Sequence, residues 1–234
     1  MKTIILAGGL GTRLSEETEL RPKPMVEIGG KPIIWHIMNL YARQGHSEFI
    51  IATGYKADFI ESWIYQLKEP WNVKAIYTGE NTQTGGRIRK VFSQISDDQV
   101  FITYGDGLGN INLLKLLNLH QSMDVIATVT AVRPPARFGV LEISSNLVDH
   151  FGEKNQADAG WINGGFFLVD RRVLNYIKND SDPFESITLP QLASEKKLAA
   201  NLHTGFWKPM DTLREKKELD QLAKSLNPPW SFLD

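Results

Sequence analysis

The sequence predicts an α/β protein: a mostly parallel mixed sheet flanked by helices, with antiparallel strands added in its C-terminal half. Three observations predict it. Short β-branched apolar runs alternate with helical periodicities from Ile4 to Leu119. A glycine-rich turn follows the first run directly. Beyond Asp124 strand-like runs follow one another with only short helices between them.

Ile4-Ile5-Leu6-Ala7 is apolar on both faces and ends at Gly8-Gly9, as a central parallel strand does. Pro32 can open a helix whose apolar positions Ile34, Ile37, Met38 and Tyr41 keep helical spacing, and Gly45 can close it with a left-handed residue. The next strand reads Phe49 to Ala52. A helix follows with Phe59, Ile60, Trp63, Ile64 and Leu67 on one face, then strands at Val73–Tyr77 and Val100–Thr103 and a helix over Leu113–Leu119. Val125–Val132, Val140–Ile143 and Phe166–Val169 are the strands of the second half. Trp161, Phe166 and Phe167 read as core, and Pro228-Pro229-Trp230 as a docked tail.

A chain of 234 residues, 42% hydrophobic, is expected to fold as one domain over 1–234. It has no cysteine, so disulfides and thiolate metal sites are excluded and a cytoplasmic location is the expectation. The N-terminal apolar run is far shorter than the roughly 18 residues of a membrane span, so no membrane association is expected. Lys plus Arg (26) balance Asp plus Glu (27), which gives no global field for nucleic acid. The five His residues show no metal-ligand spacing.

Chemistry concentrates in Gly8-Gly9-Leu10-Gly11-Thr12-Arg13 and the loop to Lys23. A glycine turn after a buried strand brings backbone N–H groups close to an anion, which makes a phosphate cradle. Neither a Walker loop nor a dinucleotide fingerprint fits the spacing. Arg13 offers a planar fork to two phosphates, and Lys23 a compact charge to a third. Asp106 lies in a Gly-Asp-Gly turn after the strand ending at Tyr104, at the edge where open parallel sheets bind ligands. Its residues alone read equally as a common Asp-Gly turn, Asp211 as a helix N-cap, and Glu153-Lys154 as an exposed pair.

Gly8 to Leu14, Arg21-Pro22-Lys23-Pro24-Met25 and Gly30-Lys31-Pro32 together resemble the opening signature of the sugar-phosphate nucleotidyltransferases. Ser15–Thr18, Thr78–Thr82, Thr84-Gly85-Gly86-Arg87, Tyr104–Gly107, Trp161–Phe167 and Phe206–Thr212 are similar to the glucose-1-phosphate cytidylyltransferase branch, in order along nearly the whole chain. One departure is a shorter segment between Gly54 and Lys74, which bears on subunit contacts.

The resemblance implies a Rossmann-like, GT-A-like nucleotidyltransferase fold with a nucleotide-binding half over about 1–123 and a sugar-phosphate half over about 124–234. It implies transfer of a cytidylyl group from CTP to glucose 1-phosphate with Mg2+, in a homo-oligomer supplying deoxysugars for bacterial surface polysaccharide. A uridylyl- or thymidylyltransferase and a non-catalytic nucleotide-binding regulator stay open as alternatives. Arg13, Lys23 and Asp106 become the catalytic set, with Asp106 and Asp211 as metal ligands. The nucleotide site takes Leu6, Ala7, Gly8, Gly9, Gly11, Thr12, Arg13, Lys23, Thr84, Gly85, Gly86, Arg87 and Gly105. Glu153, Lys154 and Asn163 take the sugar phosphate. Gly85 and Gly86 are expected to let the chain approach the base, Arg87 to donate to its O2, and a carbonyl of Leu6 to Gly9 to face the cytosine amine. Otherwise Thr84–Arg87 is an ordinary turn. The acidic loop between Gly11 and Lys23 is expected to order only with ligand.

Overall fold

The computed structural model describes residues 1–134, 139–144, 147–153 and 160–231. The chain opens with β1 (Thr3–Ala7), a 3-10 turn (Thr12–Leu14), the short helix α1 (Ser15–Thr18) and a second 3-10 turn (Lys23–Met25). A small hairpin, β2 (Glu27–Ile28) and β3 (Lys31–Pro32), leads into α2 (Ile33–Ala42). Then follow β4 (Glu48–Thr53), α3 (Ala57–Tyr65), β5 (Asn72–Tyr77), α4 (Thr84–Phe92), β6 (Gln99–Tyr104), β7 (Gly107–Gly109) and α5 (Leu113–Gln121). The second half holds β8 (Ala127–Val132), β9 (Gly139–Ser144), β10 (Leu147–Glu153), β11 (Ile162–Asp170), α6 (Leu189–Ser194), β12 (Leu198–His203), β13 (Trp207–Pro209) and α7 (Leu213–Ala223).

Seven strands form one sheet in the order β12-β8-β11-β6-β1-β4-β5. β1 pairs in parallel with both β4 and β6, and β11 runs antiparallel to β6 and β8. The mostly parallel sheet with an antiparallel strand in its second half is the architecture the sequence predicts. β12, parallel to β8, adds an edge strand that the pattern of Leu198-Ala199-Ala200-Asn201 does not announce.

Alternation along β1 assigns its two faces. Ile5 and Ala7 join a core with α2, α5, α7, Phe49 and Phe101, while Ile4 and Leu6 join another with α4, Phe167 and Phe184. Both faces are therefore covered, and each fully buried Ile contributes about 1.5–3 kcal/mol. Gly45 takes φ 85 at the end of α2, which closes that helix as expected. Phe166 and Phe167 are core, but Trp161 is 37% exposed, with the Arg133 guanidinium 4.5 Å over its ring. The tail docks through Trp230, which packs edge-on against His36 and beside Phe206.

The chain leaves β1 toward β4 on one side and leaves β6 toward β8, beyond β11, on the other. A parallel sheet whose connections diverge at neighbouring strands opens a crevice at their carboxyl ends, the usual place for a ligand.

Candidate active site

A cleft of about 1240 Å3 occupies that crevice, lined by the glycine turn, Lys23, Asp106, Asn163, Glu185 and Asp211 among others. A smaller depression of about 520 Å3 lies at the opposite, amino-terminal edge of the strands, between Lys2, Glu48 and Lys74.

The glycine turn has no room for side chains at two points. Gly11 holds φ 65, and a Cβ there would lie 2.8 Å from Thr18 Cγ2. A Cβ on Gly8 would lie 2.1 Å from the Arg87 guanidinium. Leu6, Ala7, Gly8, Gly9, Gly11 and Thr12 all face the cleft. The acidic loop beyond is a short helix tied to the rest by the Glu17–Lys216 ion pair at 2.6 Å and by Lys56, whose ammonium donates to the carbonyls of Thr18 and Glu19.

Lys23, only 7% exposed, sits on the 3-10 turn that follows. Its Nζ donates to Asp106 Oδ2 and to Asp211 Oδ1, both at 2.7 Å. Burial opposes the ammonium, yet the Asp106 carboxylate and then Asp211 outweigh it and raise the Lys23 pKa. Two residues 105 positions apart meet because β13 pairs with β7 and Met210 N donates to Asp106 O at 2.8 Å. Thr212 caps α7 in a capping box with Glu215, so the N-cap reading of Asp211 is corrected and its carboxylate points at Lys23 instead. Gly105 is pressed against Pro24, and its N–H donates to Leu6 O at 3.1 Å.

The two carboxylates converge on one cation position, at which the Lys23 ammonium stands. This fits a divalent ion that takes one or two carboxylates and completes its shell with water and phosphate oxygens. No group of three or more candidate ligands occurs among the described residues.

Thr84–Arg87 is the first turn of α4, not a loop. A Cβ on Gly85 or Gly86 would lie 2.6 or 2.4 Å from the carbonyl oxygens of Asp182 and Asp180, and neither glycine lines the cleft. Their smallness serves helix packing, which corrects the expected approach to a base. Arg87 is 4% exposed and donates to Thr53 O, Thr78 Oγ1, Gly79 O, Gly8 O and Glu80 O at 2.6–3.2 Å. It braces the glycine turn, so the expected donation to a base O2 is not presented in this conformation. Of the carbonyls expected to face the base, Leu6 O and Gly8 O already accept from Gly105 and Arg87.

Asn163 lies at the cleft on β11, before the irregularity at Gly165, φ 80. Lys154 lies outside the described residues, as do the side chains of Arg13 and Glu153. Tyr104 and Glu185 were not singled out for the cleft by the sequence. Tyr104 Oη donates to Glu185 at 2.6 Å, and Thr84 Oγ1 donates to the other Glu185 oxygen at 2.6 Å. Glu185 sits in a π-helical turn (Phe184–Thr188), outside any motif that could announce it.

The family model for nucleotidyl transferases matches residues 2–213. A glucose-1-phosphate cytidylyltransferase of Salmonella typhi is 43% identical over 98% of this chain and 98% of its own. A probable glucose-1-phosphate cytidylyltransferase of Bacillus subtilis is 38% identical over 98% and 99%. Among solved structures, HddC from Yersinia pseudotuberculosis superposes with a TM-score of 0.75 at 26% identity, covering 94% of this chain and 98% of its own. The chain therefore belongs to the nucleotidyl transferase family, in its glucose-1-phosphate cytidylyltransferase branch, and is an enzyme of that kind.

Proposed function

We propose that this enzyme transfers a cytidylyl group from CTP to α-D-glucose 1-phosphate, giving CDP-glucose and pyrophosphate. One observation carries the reading: the glycine turn, Lys23, Asp106 and Asp211 meet in one cleft at the carboxyl ends of β1 and β6. The near full-length relatives supply the choice of substrates.

An oxygen of the sugar 1-phosphate attacks the α-phosphorus of CTP, the bond from that phosphorus to the bridging oxygen breaks, and pyrophosphate leaves. The nucleophile is already an anion and needs no base. The chain's work is alignment and charge neutralisation. The backbone of Leu6 to Thr12 cradles the triphosphate and Arg13 adds its fork. Asp106 and Asp211 would hold Mg2+, which when bound neutralises and orients phosphate oxygens. Lys23 then leaves the two carboxylates for the α-phosphate, where negative charge builds. Glu153 accepts sugar hydroxyls, Lys154 meets the 1-phosphate, and Asn163 both donates and accepts.

The account extends to a division into nucleotide (1–123) and sugar-phosphate (124–234) halves, a homo-oligomer, a cytoplasmic location, and CDP-glucose feeding lipopolysaccharide O-antigen deoxysugars. No helix among the described residues is long and apolar enough to cross a membrane. Incubation with CTP, glucose 1-phosphate and Mg2+ should form CDP-glucose and pyrophosphate in equal amounts by mass spectrometry. Consumption of CTP without a nucleotide sugar would overturn the reading.

A further inference from the structure

A chain of hydrogen bonds with every proton assigned crosses the cleft wall from α4 to β11. Gly165 N–H can only donate, and it reaches Asn163 Oδ1 at 2.8 Å. That fixes the Asn163 amide, so its Nδ2 donates to Tyr104 Oη at 3.1 Å. The Tyr104 oxygen accepts there, and its one proton goes to Glu185 Oε1 at 2.6 Å. The other carboxylate oxygen accepts the Thr84 hydroxyl at 2.6 Å, and that hydroxyl in turn accepts Phe184 N–H at 2.8 Å.

A carboxylate oxygen without a proton only accepts, so Glu185 takes the Tyr104 proton and leaves the phenol oxygen to accept from Asn163, whose amide Gly165 N–H orients. Without it the Tyr104 proton could turn toward Asn163, placing a donor against the Nδ2 donor. Asn163 could answer only by flipping, which would set Nδ2 against Gly165 N–H. With Glu185 in place, Asn163 keeps one orientation and offers the cleft one N–H and one oxygen lone pair at fixed positions.

We infer that Glu185 is a positioning residue for sugar choice: through Tyr104 it secures the second anchor of the Asn163 amide that Gly165 N–H orients, and so holds that side chain in the one position that reads the hydroxyl stereochemistry of the hexose 1-phosphate. This rests on the proposed sugar-phosphate role of the cleft. A plain structural tie between the π-helical turn and β6 would predict evenly reduced activity and lower stability.

The test measures kcat and KM for glucose 1-phosphate and its C2 and C4 epimers, mannose and galactose 1-phosphate, at saturating CTP, and KM for CTP separately. The proteins are wild type, Glu185→Leu, Glu185→Gln, Tyr104→Phe and Tyr104→Phe/Glu185→Leu. In Glu185→Leu the glucose 1-phosphate KM should rise about tenfold and the preference over the epimers shrink by about as much, the ratio one lost hydrogen bond carries. KM for CTP should stay put. Glu185→Gln retains an acceptor for the Tyr104 proton and should recover part of the preference. Tyr104→Phe cuts the same chain and should match Glu185→Leu, with the double variant no worse than either. If Glu185→Leu does not fold, Tyr104→Phe alone decides. Unchanged epimer preference in Tyr104→Phe and Glu185→Leu, equal rises in both KM values, or additive losses in the double variant would overturn the inference. A wild type inactive on every hexose 1-phosphate would overturn the proposed function as well.

Discussion

Lys23→Met removes an ammonium from between two carboxylates while keeping an apolar stem of similar length. Breaking a buried ion pair from one side costs about 3–5 kcal/mol, and an exposed pair contributes about 0–1 kcal/mol. The Lys23 side chain is 9% exposed, Asp211 15% and Asp106 29%, which places this pair nearer the buried limit. A loss of about 2–3 kcal/mol is expected. At this chain length each kcal/mol moves Tm by about 2–4 °C, so Tm should fall by about 4–12 °C. Because the same oxygens are the proposed metal ligands, Mg2+ should restore the variant: at about 100 times its Kd an ion returns about 2.7 kcal/mol. In wild type the ammonium already stands on those oxygens, so Mg2+ without nucleotide should raise Tm less. The assay is calorimetry of both proteins in EDTA and in Mg2+ at matched ionic strength. An unchanged Tm in the variant, or equal Mg2+ shifts in both proteins, would refute the reasoning.

Asp106→Asn and Asp211→Asn should each lower kcat by roughly 10²–10³ with the circular dichroism spectrum unchanged, since each removes one charge from the cation position; near wild-type turnover at saturating Mg2+ would reject the assignment. Arg87→Ala should lower stability by about 3–5 kcal/mol in urea unfolding, because five oxygens around a buried guanidinium lose their donor, whereas an effect on nucleotide KM alone would contradict the brace. Burial lowers the pKa values of His36 and His120 below their unfolded value of about 6.5, so the unfolded chain binds more protons as pH falls and stability, full above that value, is lost below it. Tm should drop between pH 7.5 and 5.5, and a flat profile would count against neutral buried imidazoles.

The parallel core was legible because its signals are local. β1, β4 and β6 are continuous apolar runs, and α2 carries helical spacing closed by a glycine. Where tertiary contact decided the outcome, local reading failed. Gly85-Gly86 has turn propensity, yet the chain is helical there because only a glycine face admits the Asp180 and Asp182 backbone. Asp211 and Thr212 are both good caps by residue type, and the capping box with Glu215 selects Thr212. Glu185 looks like any surface acid until the π-helical turn delivers it to Tyr104 across 81 positions. Arg87 was legible as a cation of the nucleotide half, but not as a brace, because the carbonyls it holds come from three separate segments, at Gly8, at Thr53 on the end of β4, and at Gly79.

The most direct test of the central claim is kcat/KM for CTP, UTP and dTTP, measured as pyrophosphate release with glucose 1-phosphate and Mg2+. Cytosine and uracil differ at one edge, and a buried polar group opposed there costs about 1–3 kcal/mol, so CTP should lead UTP by about ten- to a hundredfold. Equal use of CTP and UTP would contradict the cytidylyl assignment, and no pyrophosphate release with any of the three would contradict the reaction itself.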